Sequence, residues 1–179
     1  MNYHYGKISL NQAIMAIQLG NIKKGEDLLA EAEEKIKKWN DLLGNLALAY
    51  LLLHEESKAV AVILAALSQN PKWEENLPAF YLLKDQPGMR ELIDERKFNE
   101  KDWISAVSFL GELNRDAEAA SLAQKALQKF PGSSSLHYLL GKYLLAERRQ
   151  AEARKELQQA VSLDPSNDEA MDFLQHSFR

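Results

Sequence analysis

Residues 134–167 read SSLHYLLGKYLLAERRQAEARKELQQAVSLDPSN, and this stretch decides the fold. Its first half carries Leu140 and Gly141 on a helical apolar pattern. Its second half spaces Ala153, Leu157 and Ala160 on one helical face, and Pro165 stands just beyond. Proline cannot continue a helix, so the second segment must stop there. The reading is two helices and two turns within 34 residues, a length that two helices of roughly 12–14 residues and their turns require.

Stepping outward by that length reproduces the pattern. Thirty-four residues earlier stand Ala119, Ala126 and Pro131, and Trp103 holds the place of His137. Residues 40–73 give Leu46, Ala47, Tyr50, Ala59, Ile63, Ala66 and Pro71. Residues 6–39 give Ala13, Gly20-Asn21-Ile22 at a turn, Gly25, Leu29 and Ala32, with Lys37 where the closing proline would be. The small residues Gly25, Ala59, Ala119 and Ala153 let paired helices approach closely. A second small set, Ala32, Ala66, Ala126 and Ala160, faces the following repeat.

These positions resemble the tetratricopeptide repeat family, in the form that bacterial arrays take. That family's pattern runs Trp-x2-Leu-Gly-x2-Tyr, then Ala, an aromatic or aliphatic residue, Ala and Pro. Here the Trp survives once (Trp103), the Gly once (Gly141) and the Tyr once (Tyr50), while the small residues and prolines are better kept. The resemblance covers about 136 of the 179 residues. It implies an all-α chain, a right-handed α-solenoid of antiparallel helix pairs with a concave face lined by first helices.

The expected organisation is a single array of four full repeats (6–39, 40–73, 100–133, 134–167), a shortened unit (74–99) and a capping helix (168–179). In the short unit the spacing predicts a helix near Glu75–Lys84, opening at Pro78, then a break at Asp85-Gln86-Pro87-Gly88 with Asp85 as N-cap, then a helix over Met89–Arg96. That unit is either a bend in a continuous stack or a hinge between two pairs. Ser166-x-x-Glu169 has the form of a capping box opening the last helix. Ser9-x-x-Gln12 has the form of a helix start, which leaves residues 1–8 extended or frayed.

Composition narrows the function classes. The net charge is −4 with both signs interspersed, so no basic stripe is offered to a nucleic acid. Cysteine is absent, which removes thiol nucleophiles, disulfides and zinc–thiolate sites. The apolar runs Leu46–Leu53 and Ala59–Leu67 are too short for the ~20 residues of a membrane span, and the N-terminal residues lack a signal-peptide pattern. The expected location is cytoplasmic.

No chemistry-bearing motif stands out. His54-Glu55-Glu56 starts like a zinc-protease motif, but Lys58 stands where the second histidine is needed. His137 reads as a helix-packing residue. Glu31, Glu33 and Glu34 followed by Lys35, Lys37 and Lys38 read as surface pairs four residues apart. No catalytic residue, metal site or cofactor is expected, and the chain is read as not an enzyme.

The resemblance implies a protein-binding groove on the first helices. In the N-terminal half its lining is apolar, with Leu10, Ile14 and Ile17 and then Leu48, Leu51 and Leu52. In the C-terminal half it is more polar, with Ile104, Tyr138 and Lys142. The carboxylate clamp of some family members needs Lys and Asn where this chain has Leu10, Ile14, Gly44 and Leu48; Asn45 alone resembles a clamp residue. The implied function is a non-catalytic adaptor that holds an apolar segment of a protein partner. The alternatives are a self-associating scaffold built on the apolar second repeat, or the repeat portion of a larger bacterial secretion, polysaccharide-export or envelope-assembly protein.

Overall fold

A computed structural model describes residues 2–36 and 40–178, without the side chains of residues 2, 40 and 41. Lys37, and the surface pairs expected of Lys37 and Lys38, lie outside the described residues. The fold is all-α, made of helices packed in adjacent antiparallel pairs. Nine α-helices are described: α1 (Asn2–Gln18), α2 (Ile22–Ile36), α3 (Asn40–Leu52), α4 (Glu56–Gln69), α5 (Glu100–Glu112), α6 (Asp116–Lys129), α7 (Ser134–Ala146), α8 (Gln150–Leu163) and α9 (Asp168–His176).

The chain forms two compact units. One comprises Met1–Leu77 with Leu83–Ile93, the other Pro78–Leu82 with Asp94–Arg179. In the first, α1 packs on α2 and α3, and α3 on α4. In the second, α5 packs on α6 and α7, α7 on α8, and α9 closes over α7 and α8.

The small residues do what their spacing predicts. Gly25, Ala59, Ala119 and Ala153 are buried, as are Ala32, Ala66, Ala126 and Ala160. A Cβ on Gly25 would lie 2.4 Å from Ile17 Cγ1, and one on Gly141 would lie 2.7 Å from Leu157 Cγ. These helix pairs are therefore closer than any larger side chain would allow.

Turns inside the pairs are marked by left-handed backbone at Gly20 (φ 79°), His54 (φ 60°), Asn114 (φ 56°) and Arg148 (φ 63°). Gly88 (φ 83°) belongs to the same series. Gly20, His54 and Gly88 are 34 residues apart, and so are Asn114 and Arg148, whereas Gly88 and Asn114 are 26 apart. The short unit thus keeps its first half and its turn in phase, and the missing residues come out of its second helix.

That location corrects two expectations. Glu75–Lys84 is not an α-helix but part of a 3-10 stretch, Pro71–Leu83, interrupted at Phe80 (φ −92°, ψ 25°) and containing Pro78. Met89–Arg96 is a run of turns followed by a short 3-10 helix, Glu95–Lys97. Met89 and Ile93 are nonetheless buried, one helical turn apart in sequence, in the place of a second helix. Asp85 caps nothing; Asp94 caps the 3-10 turn by accepting from Arg96 N at 3.1 Å.

Both ends also differ from expectation. Helix α1 begins at Asn2, so residues 2–8 are helical and Ser9 is a buried residue within it. At α9 the N-cap is Asn167, whose Oδ1 accepts from Ala170 N at 3.0 Å, while Ser166 donates to Asp164 instead. A capping box does occur, at α5, where Asn99 and Asp102 exchange side-chain-to-backbone bonds of 3.1 and 2.8 Å.

Candidate functional site

The first unit turns its groove residues inward. Leu10 is 0% exposed, and Ile17, Leu48 and Leu51 are also buried, leaving Ile14 and Leu52 partly accessible. The cause is rotational. Helix α1 presents Leu10, Ala13 and Ile17 to its neighbours, Ile17 lying over Gly25 of α2. On α3, Trp73 from the 3-10 stretch lies against Gly44, at the head of the Leu48–Leu51 stripe. Leu10, Ile17, Leu48 and Leu51 are therefore core residues in this structure.

The apolar second repeat is likewise largely covered. Ala59, Val60, Ile63 and Ala66 of α4 are buried, and Leu64, 38% exposed, lies beside Gly88. Gln86 donates to Glu56 of the same unit.

In the second unit the corresponding stripe stays accessible. Ile104 and Ser108 of α5 and Tyr138, Lys142 and Leu145 of α7 are partly exposed. Glu112 ends α5 on this face. Burial raises its carboxyl above the ordinary carboxylate range, and the Lys142 ammonium opposes the rise. Gly111 makes the packing possible: a Cβ there would lie 2.1 Å from the Tyr143 hydroxyl, so the buried tyrosine ring uses the space a side chain would fill. Burial pushes the Tyr143 phenol up to about 12. Tyr138 meets the Phe173 ring of α9 edge-on, centroids 5.6 Å apart. The face therefore offers aromatic and aliphatic area, one cation and one carboxylate.

A second group of charged and aromatic residues serves packing. Lys125 of α6 donates to Glu95 at 2.6 Å and to the Tyr81 hydroxyl at 3.1 Å, and its ammonium lies 5.6 Å from the Trp103 ring centroid. Lys129 lies 4.8 Å from the same ring. Trp103 is fully buried, and among the described residues its indole nitrogen has no hydrogen-bond partner. His137, in the position Trp103 holds one repeat earlier, bridges instead. Its Nδ1 is 2.7 Å from Glu156 of α8 and its Nε2 is 3.2 Å from the Pro131 carbonyl oxygen.

Among the described residues no three His, Asp or Glu side chains converge as metal ligands, and no helix is long and apolar enough to cross a membrane. A cavity of about 400 Å³ lies between α1 and α2; it is lined by Gln12, Met15, Ala16, Leu19, Asn21, Lys24 and Leu28. The groove residues expected on α1, Leu10 and Ile17, lie on the buried side of the helix, away from this cavity.

Residues 114–175 match the family model described as tetratricopeptide repeat. No curated protein matches the chain significantly. Several solved structures are similar. MamA from MSR-1 is 16% identical over 89% of this chain and 97% of its own, with a TM-score of 0.45. MamA from Desulfovibrio magneticus RS-1 is 16% identical over 97% and 83%, with a TM-score of 0.43. YrrB, a tetratricopeptide-repeat protein with an unusual peptide-binding site, is 14% identical over 93% and 90%, with a TM-score of 0.49. Likeness at that level carries over neither ligand nor partner.

Proposed function

We propose, for a chain whose helices pair throughout and whose residues 114–175 match the tetratricopeptide repeat model, a role as a non-catalytic scaffold that holds a protein segment on the α5–α7 face. The observation that carries this reading is the contrast between the two stripes. Leu10, Ile17, Leu48 and Leu51 are sealed, whereas Ile104, Tyr138 and Lys142 remain accessible on neighbouring first helices beside Glu112. Contact between α5 and α7 supports reading these side chains as one surface. Partly exposed Tyr138 and Ile104 supply apolar area, and Lys142 with Glu112 supplies orientation through charged hydrogen bonds. A bound segment would thus be mixed in character, an apolar residue flanked by polar ones.

The test is site-specific photocrosslinking in the source cell. A photoreactive residue at Ser108, on the face, should capture a partner that the same residue at Lys155, on the exposed side of α8, does not. The paired substitution Tyr138→Ala with Lys142→Glu should abolish the Ser108 crosslink while leaving helicity intact. Equal capture from both positions, or survival of the crosslink in the double variant, would rule this surface out.

A further inference from the structure

Helix α1 carries an apolar face that its own unit leaves open. Tyr5, Ile8, Met15 and Leu19 are 60%, 54%, 62% and 79% exposed, and Ile22 continues the patch at the start of α2. With Gln12 between them, these α1 positions advance by alternating steps of three and four residues, the spacing of a seam that receives a second helix. From Tyr5 to Leu19 the seam is about 21 Å long at a rise of ~1.5 Å per residue. Its C-terminal end opens into the α1–α2 cavity, whose volume of about 400 Å³ accepts a large side chain. Met15, Leu19 and Leu28 supply the apolar wall, and the Gln12 and Asn21 amides the polar rim.

The charge at this site has one sign. Lys24 is the sole charged residue lining the cavity, and among the described residues it has no ionic or hydrogen-bond partner. Helix α1 contains Lys7 and no acidic residue from Asn2 to Gln18. By contrast, Lys23 and Lys35 of α2 are neutralised by Asp27 and Glu31.

The geometry points to the outer face of α1, with the adjoining cavity, as the docking surface for an amphipathic helix of another protein that carries a carboxylate beside its apolar seam. A helix fits because the exposed residues repeat at helical spacing over four turns. The carboxylate fits because Lys24 offers an uncompensated ammonium at the rim of an apolar cavity, where pairing is screened less than in open solvent. A second copy using the same face is disfavoured, since two-fold pairing would set two acid-free seams against each other. This surface is separate from the α5–α7 face, and the two readings stand or fall independently.

The experiment uses the full chain and a helix-stabilised synthetic peptide of 16 residues, with leucines in a heptad seam and one glutamate beside it. A second peptide replaces the glutamate with lysine. Fluorescence anisotropy should show the glutamate peptide binding about tenfold more tightly, a separation worth one decade of Kd. Lys24→Glu should exchange the preference, Met15→Glu should weaken both peptides by about tenfold or more, and Lys142→Glu should change neither. Met15 is 62% exposed and Lys24 is unpaired, so both variants keep the fold; circular dichroism verifies this, and the Lys24 exchange alone decides the matter if Met15→Glu does not fold. Equal affinity of the two peptides, or an unchanged preference in Lys24→Glu, overturns the proposal. So does a sedimenting dimer that Met15→Glu dissolves, which would make a second copy the occupant.

Discussion

Gly44 and Gly141 both sit inside first helices, and adding one methyl group to each should have opposite effects. Alanine exceeds glycine in helix propensity by about 1 kcal/mol, mostly through the backbone freedom glycine loses on folding. At Gly44 the new Cβ meets nothing nearer than Trp73 Cζ2 at 3.8 Å, an ordinary contact. Gly44→Ala should therefore gain roughly the whole propensity term, ~1 kcal/mol. At Gly141 the Cβ would stand 2.7 Å from Leu157 Cγ and 3.1 Å from the Ala153 carbonyl oxygen. Leu157 is fully buried and cannot swing aside, and the carbonyl moves only if α8 moves. Overpacking of that kind costs about 1–3 kcal/mol, which outweighs the propensity gain and leaves Gly141→Ala destabilised by about 1 kcal/mol. The two variants should differ by about 2 kcal/mol, or roughly 4–8 °C in melting temperature for a chain of this length. Thermal and urea unfolding followed by circular dichroism measure the difference. A Gly141→Ala protein that melts at or above the wild type, or a Gly44→Ala protein that melts below it, would refute the claim that contact distance separates these glycines.

Two further outcomes follow from features already described. Arg148 is exposed and holds φ at 63°; the left-handed conformation costs a side-chain-bearing residue roughly 1–2 kcal/mol, and glycine returns roughly 0.5–1 of that as entropy. Arg148→Gly should thus stabilise by about 0.5 kcal/mol in urea unfolding, and Asn114→Gly by less, because asparagine tolerates this conformation. Glu112 has a raised pKa, so folding favours its protonated form. Its stabilising contribution is complete below the unfolded carboxylate value and is lost as pH rises through the higher folded value. Lys142→Met removes the group that restrains the rise; a carboxyl titration by NMR should move Glu112 further up, and a downward move would contradict the assignment.

Much of the fold was legible because the repeats reuse a few steric solutions. Ala119, Ala126, Ala153 and Ala160 with Pro131 and Pro165 located α6 and α8, since small residues and a helix stop leave few other packings. The face of α1 was not legible. Tyr5, Ile8, Leu10, Ile14, Met15, Ile17 and Leu19 spread apolar groups around the helix, so the pattern does not say which side the core takes. Close contact of Ile17 with Gly25 settles it, and that is a tertiary fact. Met89 and Ile93 misled in a related way: their spacing suits a helix, but the backbone after Gly88 runs on as turns, and the two are held by burial and by a bond from Ile93 N–H to the Met89 carbonyl oxygen at 3.0 Å. At α9 two adjacent cap-forming residues competed, and Asp164 engaged Ser166, leaving Asn167 to cap. Of the expected groove residues, Ile104, Tyr138 and Lys142 are partly accessible, whereas Leu10, Ile17, Leu48 and Leu51 are buried, a difference set by tertiary packing that periodicity alone does not carry.

The left-handed turns give the chain a reading frame. Between Gly20 and Gly88, and again between Asn114 and Arg148, inserting one residue within a helix would rotate everything beyond it by about 100° and take the small residues off their contacts. The frame lapses once, over the turns that follow Gly88. Extra residues between Ile93 and Asp94, where the chain passes for the last time from one unit to the other, would leave the phase of the repeats on either side untouched. That junction is where a tag or a longer connection could be spliced into this protein without either half losing count.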